Sequence, residues 1–318
     1  MKRLDLPGLI LLLALGALPL VVPPGFWMTS ALLVLLFALL GQSWNILGGY
    51  GGQYSFGHAL FFGTGAFTTA VLQVRQGVNA WLAGGTAVLL GAAAGAAVGW
   101  LVFRYRLRGS YFALVTLAFA ELARILVSSF GYTGGGFGML VPLKAGAWNF
   151  QFTDARIPYW IVWALVVLGT LLAMWLERSR FGARLMAVRE NEQAAQALGI
   201  HLVRVKTASL ALSAALAAAA GAFYLQVFLF VDSGLGFGYG MSVQALLAPI
   251  IGGLGTPFGP LYGAVVLRLV GEGAKRIAGN APGLDLALYG MLLIAMLRFL
   301  PAGLAGLRRR SAPRRRDA

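Results

Sequence analysis

An all-α polytopic membrane protein is the fold class this sequence predicts, and three observations predict it. Of its 318 residues, 59% are hydrophobic and only 11% are charged, against about 25% charged in an ordinary soluble domain. Mean hydropathy is +0.79. Apolar runs of about 20 residues, the length a helix needs to cross the hydrocarbon, recur along the whole chain. The expectation is one membrane-embedded domain over 1–318, with too little extramembrane chain for a soluble enzyme domain. Cysteine is absent, which excludes disulfides, thiolate nucleophiles and zinc–thiolate sites. No metal site is expected, because the two histidines, His58 and His201, lie far apart.

Ten hydrophobic helices are predicted. The first, 7–22, follows Met1, Lys2 and Arg3 like a signal peptide. A Pro19-to-Pro24 stretch replaces the small-residue cleavage site, so an uncleaved helix is expected. The second, 28–47, ends at a glycine break formed by Gly48, Gly49, Gly51 and Gly52. The third, 55–74, opens with Ser55 and His58, just after Gln53. The fourth, 81–103, carries Gly91, Gly95 and Gly99 in a small-xxx-small row, a packing surface within the bundle or between subunits. The fifth, 110–130, holds Thr116 and a charge pair, Glu121 and Arg124, at i, i+3. Next come 158–176 and 207–231. The apolar stretch 242–271 is interrupted by Gly252, Gly253, Gly255, Pro257, Gly259 and Pro260, so it divides into 242–253 and 259–271. The last helix is 284–300. Five helices precede the 131–157 loop and five follow it, which suggests an inverted repeat with Gly48–Gly57 and Gly234–Gly240 as counterparts.

Positive charge orients this array. Alternation from an inside N-terminus places seventeen of the 25 Lys and Arg in four inside segments. These are Lys2/Arg3, Arg104/Arg106/Arg108, the 177–206 loop, and a basic tail, 305–318, with six arginines. Outside fall only Arg75, Lys144, Arg156, Lys275 and Arg276. The positive-inside rule then predicts cytoplasmic N- and C-termini. The formal charge of +15 reads as a membrane-topology signal, and no nucleic-acid partner is expected.

Soluble-type catalysis has no foothold here. There is no GxxxxGK[ST] phosphate loop and no GxSxG elbow. The glycines at 234–240 follow no strand, so they suit a flexible break better than a phosphate cradle. The 177–206 loop is the most informative polar segment. Asn191 suits a helix N-cap, Glu192 and Gln193 its first turn, and Gly199 the position just past its end. Two turns are too short to stand alone. The segment is either a docking helix, offering Ala194, Ala195, Ala197 and Leu198 to a groove inside a charged rim, or a linker folded on the membrane.

The loop, with Phe181-Gly182, Arg189-Glu190-Asn191-Glu192, Ala194-Ala195 and Leu198-Gly199-Ile200, resembles the ATPase-coupling segment of branched-chain amino-acid ABC importer permeases of the LivM type. The 47–58, 111–121, 133–135, 252–255 and 289–304 stretches are similar to that family as well, in order. Ala120, where the family often has glycine, and the arginine-rich tail depart from it. The resemblance implies a non-enzymatic inner-membrane permease that carries hydrophobic amino acids. It implies a second homologous permease, two cytoplasmic ATPases that bind the ATP, and a periplasmic or lipid-anchored solute-binding protein. It also makes Arg184, Arg189, Glu190, Asn191, Glu192, Ala194, Ala195 and Gly199 the coupling residues.

Passage residues are expected near the two breaks, where unwound backbone is tolerated only against protein or a wet cavity. Gln53, Ser55, His58, Thr116, Glu121 and Arg124 are the candidates. Each has a plainer alternative: glycines for close packing, His58 as a buried partnered residue, and Glu121–Arg124 as a structural ion pair facing the bundle interior. Permeases for urea, short amides or sugars stay open, as does a stand-alone channel or carrier, although these last need no docking helix.

Overall fold

The computed structural model describes residues 5–278 and 303–310, with five further positions between 288 and 298. Of the described residues, 81% are helical. Most of the predicted 284–300 helix, and the tail beyond 310, lie outside the described residues. Helix α1 (Leu6–Val21) has Pro7 in its first turn, where no N–H is needed, and stops before Pro23 and Pro24. Helix α2 (Phe26–Asn45) runs on through a π-turn, Ile46–Tyr50, making a 25-residue span. It is the most enclosed element, with 89% of its most apolar window buried. The first glycine break is therefore partly helical: the chain stays wound through Gly48 and Gly49 and opens only at Gly51. Helix α3 starts three residues later than expected, spanning His58–Gln76, and ends at Gly77 in the left-handed region.

Asn79 caps α4 (Ala80–Arg104), its side chain accepting from the Trp81 and Leu82 amides. Helix α5 (Gly109–Ser129) follows a four-residue turn. Between it and α6 (Arg156–Arg178) the chain makes short 3₁₀ turns and a strand, β1 (Met139–Leu140). The polar loop holds two helices, α7 (Arg180–Glu190) and α8 (Glu192–Ala197). Helix α9 (Leu202–Phe228) begins five residues before the expected span, so Arg204 and Lys206 belong to it. Strand β2 (Phe230–Val231) pairs antiparallel with β1, Met139 opposite Val231. Helices α10 (Ser233–Phe237), α11 (Tyr239–Gly252), α12 (Gly259–Ala278) and α13 (Gly303–Arg310) complete the described chain.

Among the described residues, six helical segments are long and apolar enough to cross a membrane: Phe26–Tyr50, Ala80–Arg104, Gly109–Ser129, Arg156–Arg178, Leu202–Phe228 and Ser233–Gly252. Helix α1, at 16 residues, is shorter.

The glycine row resolves one of the two packing alternatives. Gly91, Gly95 and Gly99 face Ala218, Ala214 and Thr207 of α9 in the same subunit. A Cβ on Gly95 would lie 2.5 Å from the Ala214 Cβ and 2.9 Å from the Leu210 carbonyl oxygen. Small residues on both helices let the backbones meet, where dispersion and not hydrophobic exclusion must hold helices together in lipid. The row is an internal seam.

Connections sort to two ends of the bundle. At one end Arg108 pairs with Glu192, and Asn45 bridges to the 253–258 turn. The Tyr262 hydroxyl donates to Asp5 there (3.2 Å), and Gly303 packs against the Gly253 backbone. At the other end β1 meets β2, and Asn79 and Trp81 donate to the Trp148 and Ala147 carbonyls. Arg75 donates there to the carbonyls of Gly131 and Tyr132. Residues 131–157 thus form a surface cap and no re-entrant helix. The two glycine segments of the suggested repeat sit at opposite ends, as inversion requires.

Candidate functional site

The 177–206 segment is seated on the junction of the two glycine breaks. Ser179 caps α7 by accepting from the Gly182 amide (3.0 Å). Gly182 lies so close to the Leu176 carbonyl of α6 that any side chain there would collide with it. Leu185 and Val188 of α7 and Ala195 of α8 pack with Ile46 and Tyr50 of the π-turn, Leu176 and Val205. Burying side chains of this kind is worth about 1.5–3 kcal/mol for each large one.

The helix ends follow local chemistry. The Asn191 side chain accepts from the Gln193 and Ala194 amides, at 2.9 and 3.0 Å. At the far end the Gly199 amide donates to the Gln196 carbonyl and the Ile200 amide to that of Ala195, with Gly199 at φ +82°. That pair of bonds is the Schellman ending a glycine permits.

Two expected docking residues, Ala195 and Glu192, face inward instead, and the exposed Arg189 turns its guanidinium inward. Ala195 is buried. Glu192 accepts from Arg108 Nε at 2.9 Å and from Lys206, whose side chain is 4% exposed, so its carboxylate neutralises a buried cation. Arg189 donates to the Gly49 carbonyl oxygen at 2.5 Å. Its stem packs on Gly52, and its guanidinium stands beside Gly255. Arg184, Glu190, Gln193, Ala194, Gln196, Ala197, Leu198 and Gly199 are exposed, Leu198 at 81%. The outward surface of α8 is therefore small and apolar with amide groups, and of the expected charged rim Glu192 and Arg189 tie the segment down while Arg184 and Glu190 stay exposed.

Beneath Arg189 the two breaks interlock. Asn45 donates from Nδ2 to the Thr256 carbonyl (3.0 Å) and accepts at Oδ1 from the Gly255 amide (2.9 Å). A Cβ on Gly49 would stand 2.6 Å from the Gly255 nitrogen. Gly253 and Gly255 both take positive φ. A side chain at either break would part the π-turn from the 253–258 turn. Gly252, in the last turn of α11, is packed on the Gly259 and Gly263 backbone.

The passage candidates Ser55, His58 and Thr116 do come together, but as buried structure. Trp44 Nε1 donates to the Ser55 carbonyl (2.7 Å), the Gly57 amide to Ser55 Oγ (3.2 Å), and the Phe56 amide to Thr116 Oγ1 (3.2 Å). His58 Nε2 and Ser213 Oγ lie 2.8 Å apart, and Ser213 donates onward to the Ser43 carbonyl (2.5 Å). Gln53 is buried near the same turn. Ser242 Oγ accepts from the Ala59 amide (2.9 Å), joining α11 to the start of α3. The extended segment 51–57 thus exchanges its backbone needs for side chains of α2 and α5.

Glu121 and Arg124 depart furthest from expectation. They pair at 2.5 Å, with 51% and 37% of their side chains exposed on the outer face of α5. The buried stripe of α5 is Phe112, Thr116 and Ala120, and Glu121 falls beside it on the opposite face. Sequence reading missed Asn45, Arg108, Lys206, Ser213 and Ser242. Asn45 alone carried a signal, as an amide near the end of an apolar span.

A multi-pass helical bundle with a polar segment clamped across one end defines a polytopic membrane protein. The chain belongs to the branched-chain amino acid transport system permease component family, which it matches over residues 26–297. It is similar to the high-affinity branched-chain amino acid transport system permease protein LivM of Salmonella typhimurium and to that of Escherichia coli. Each is 29% identical over 303 residues, covering 88% of this chain and 70% of the relative. No solved structure matches the chain. Membership makes it an inner-membrane, multi-pass transport subunit of a transporter complex.

Proposed function

We propose that this chain is a permease subunit through which branched-chain amino acids move inward, driven by ATP hydrolysis on other chains. The observation that carries the reading is the clamp: α7 and α8 present a small exposed face outward while the Arg189 guanidinium reaches in to the Gly49 carbonyl and stands beside Gly255. A segment so placed turns a push from outside into motion of α2, α11 and α12. The exposed face of Gln193, Ala194, Ala197 and Leu198 is where a cytoplasmic ATPase would seat. Two such ATPases bind the ATP, since this sequence has no phosphate loop. A second homologous permease and a periplasmic or lipid-anchored solute-binding protein complete the assembly within the lipid.

The end bearing 177–206 is cytoplasmic on this reading. Arg104, Arg106 and Arg108 and the cations of α7 gather there, as does the start of α13. Asp5 lies at the same end, which supports cytoplasmic N- and C-termini. The polar knot around His58 acts as a scaffold for the re-entrant 51–57 segment. Proteoliposomes holding the complete complex, supplied with leucine, urea or ribose on the binding-protein side and ATP on the other, test the assignment. Leucine uptake that needs ATP supports it; uptake of urea or ribose with none of leucine overturns the substrate class.

A further inference from the structure

The start of α2, the start of α6, the end of α9 and the 143–155 loop enclose a cavity of about 290 Å³. It lies at the end of the bundle opposite the 177–206 segment. Met28 and Leu32 of α2, Phe150 and Phe152 of the loop and Val227 of α9 make most of its wall apolar. Two of its polar side chains are satisfied by neighbouring backbone. Thr29 Oγ1 donates to the Gly25 carbonyl (3.1 Å). Gln151 donates from Nε2 to the Pro142 carbonyl (2.9 Å) and accepts at Oε1 from the Lys144 amide (2.5 Å). Gln226, on the α9 wall and only 7% exposed, is different: neither its Oε1 nor its Nε2 has a hydrogen-bond partner. A buried amide left unmet at both atoms is costly, and native chains keep few of them. The cavity beside it has room for a group that would meet it.

The depth of the cavity says what that group is. Met28 stands just inside the start of α2, Pro158 just inside the start of α6, and Gln226 just before the end of α9. At 1.5 Å per residue each lies about 3 Å from its helix end, and Leu32 about 9 Å. Phe26, Trp27 and Trp160 are exposed on the same helix ends, and aromatic rings so placed mark the boundary between hydrocarbon and headgroups. Thr29 and Leu143, both exposed, belong to the open side. Lys144 and Arg156 adjoin the lining residues Leu143 and Ala155, and the nearby Asp154 accepts the Arg156 amide at Oδ1 (2.9 Å). Apolar wall toward the bilayer, an amide at the boundary and two cations on the loop side repeat the order of parts along a phospholipid: chain, ester carbonyl, phosphate.

We propose that this cavity holds one chain of a diacyl phospholipid, whose ester carbonyl accepts from Gln226 Nε2 and whose phosphate lies toward Lys144 and Arg156. A turn of the Gln226 side chain about its own bonds brings the amide to the lipid, and water of the ester layer serves Oε1. The inference needs the bundle to lie in a bilayer and does not depend on what the transporter carries. A phosphatidylglycerol with a diazirine in one chain is added to the complete, delipidated complex in detergent. It is used as the diester and as the diether, which lacks both carbonyls. After irradiation, adducts on residues 25–32 and 143–158 are measured against those on the exposed Leu89 and Leu90 of α4. The diester is expected to favour the cavity peptides over α4 by about two- to tenfold more than the diether does, the worth of one hydrogen bond. Gln226→Leu removes both unmet atoms at similar volume, so it should equalise the two lipids and leave the α4 adducts unchanged. Equal labelling by diester and diether in the unaltered chain, adducts on α4 alone, or a preference that survives Gln226→Leu overturns the proposal. Loss of the cavity adducts on adding excess leucine overturns it too, making the cavity a solute site. The first comparison uses the unaltered chain, so it decides the matter even where the variant assembles poorly.

Discussion

Removing the Glu192 carboxylate should unfold the coupling end of the bundle before it weakens any contact with an ATPase. Lys206 is 4% exposed, and its ammonium lies against Glu192 on one side and over the Phe103 ring, 5.4 Å from the centroid, on the other. Arg108 stands on the same carboxylate at 2.9 Å. Glu192→Ala leaves two cations around an apolar gap with no anion between them. Breaking a buried pair by removing one partner costs about 3–5 kcal/mol, and the partial exposure of Glu192 argues for about 3 kcal/mol. On the usual scaling that lowers the unfolding midpoint by about 6–10 °C. Lys206→Met should cost only about 1 kcal/mol, because an apolar chain of similar length still fills the space against Phe103 and Glu192 keeps Arg108. The double variant should then be more stable than Glu192→Ala alone, with a coupling energy of about 2 kcal/mol. Thermal unfolding of the isolated subunit in detergent reads all three. An unchanged midpoint for Glu192→Ala would refute the reasoning and return Glu192 to the outward, ATPase-facing role.

Gly95→Leu should destabilise the isolated subunit, since its Cβ meets Ala214 and the Leu210 backbone and overpacking costs about 1–3 kcal/mol or more; an unchanged midpoint in detergent would take the row off the α4–α9 seam. Arg189→Ala should leave the ATPase bound and hydrolysing while leucine uptake in proteoliposomes collapses, because the bond to Gly49 is lost; normal uptake would remove Arg189 from the coupling route. Arg189→Lys should recover only part of that uptake, as a single ammonium reaches one carbonyl but cannot fill the space between Gly52 and Gly255. The chain lacks cysteine, so Leu198→Cys should label only after permeabilisation and Trp148→Cys in intact cells. Labelling of 198 from outside would invert the assigned orientation.

What the sequence disclosed was local or periodic. Spans were legible because lipid imposes one pattern on every crossing helix, and their order follows from alternation. The ends of α8 were legible too: an asparagine cap and a glycine ending act within a few residues of themselves, and Asn191 and Gly199 stand as such chemistry demands. Partners distant in sequence were hidden. Nothing near Glu192 says that Lys206, counted as a loop cation, lies buried in the first turns of α9. Nothing near Arg189 points to Gly49, 140 residues away. The glycine break at 48–52 read as unwound because glycine disfavours helix. Tertiary packing overrides that cost here, since Ile46 and Tyr50 are buried and only a side-chain-free backbone approaches Gly255 so closely. For Glu121 the error had another source. A rule that charged residues face inward was applied to one subunit, whereas α5 is open to whatever lies beyond it.

The ties on the coupling segment also determine what kind of motion it can transmit. Helix α7 is fixed to α6 through Gly182 and Leu176, to the π-turn through Leu185 and Val188, and to both breaks through Arg189. Helix α8 is fixed to the α4–α5 turn through Arg108 and to α9 through Lys206. A segment held at this many points cannot slide by itself without exposing Lys206 or parting Gly49 from Gly255, each a loss of several interactions at once. A push on Leu198 therefore moves the end of α9, the α4–α5 turn and the α2–α12 junction together. Helix α9 is locked to α4 along the glycine seam, so these helices swing as one body. Helix α5, tied to α8 through Arg108 and to the 51–57 segment through Thr116 but packed along only a narrow stripe, is the least covered of the candidate spans. On the proposed function, force entering at the exposed face of α8 passes toward α5, whose open side carries Glu121 and Arg124.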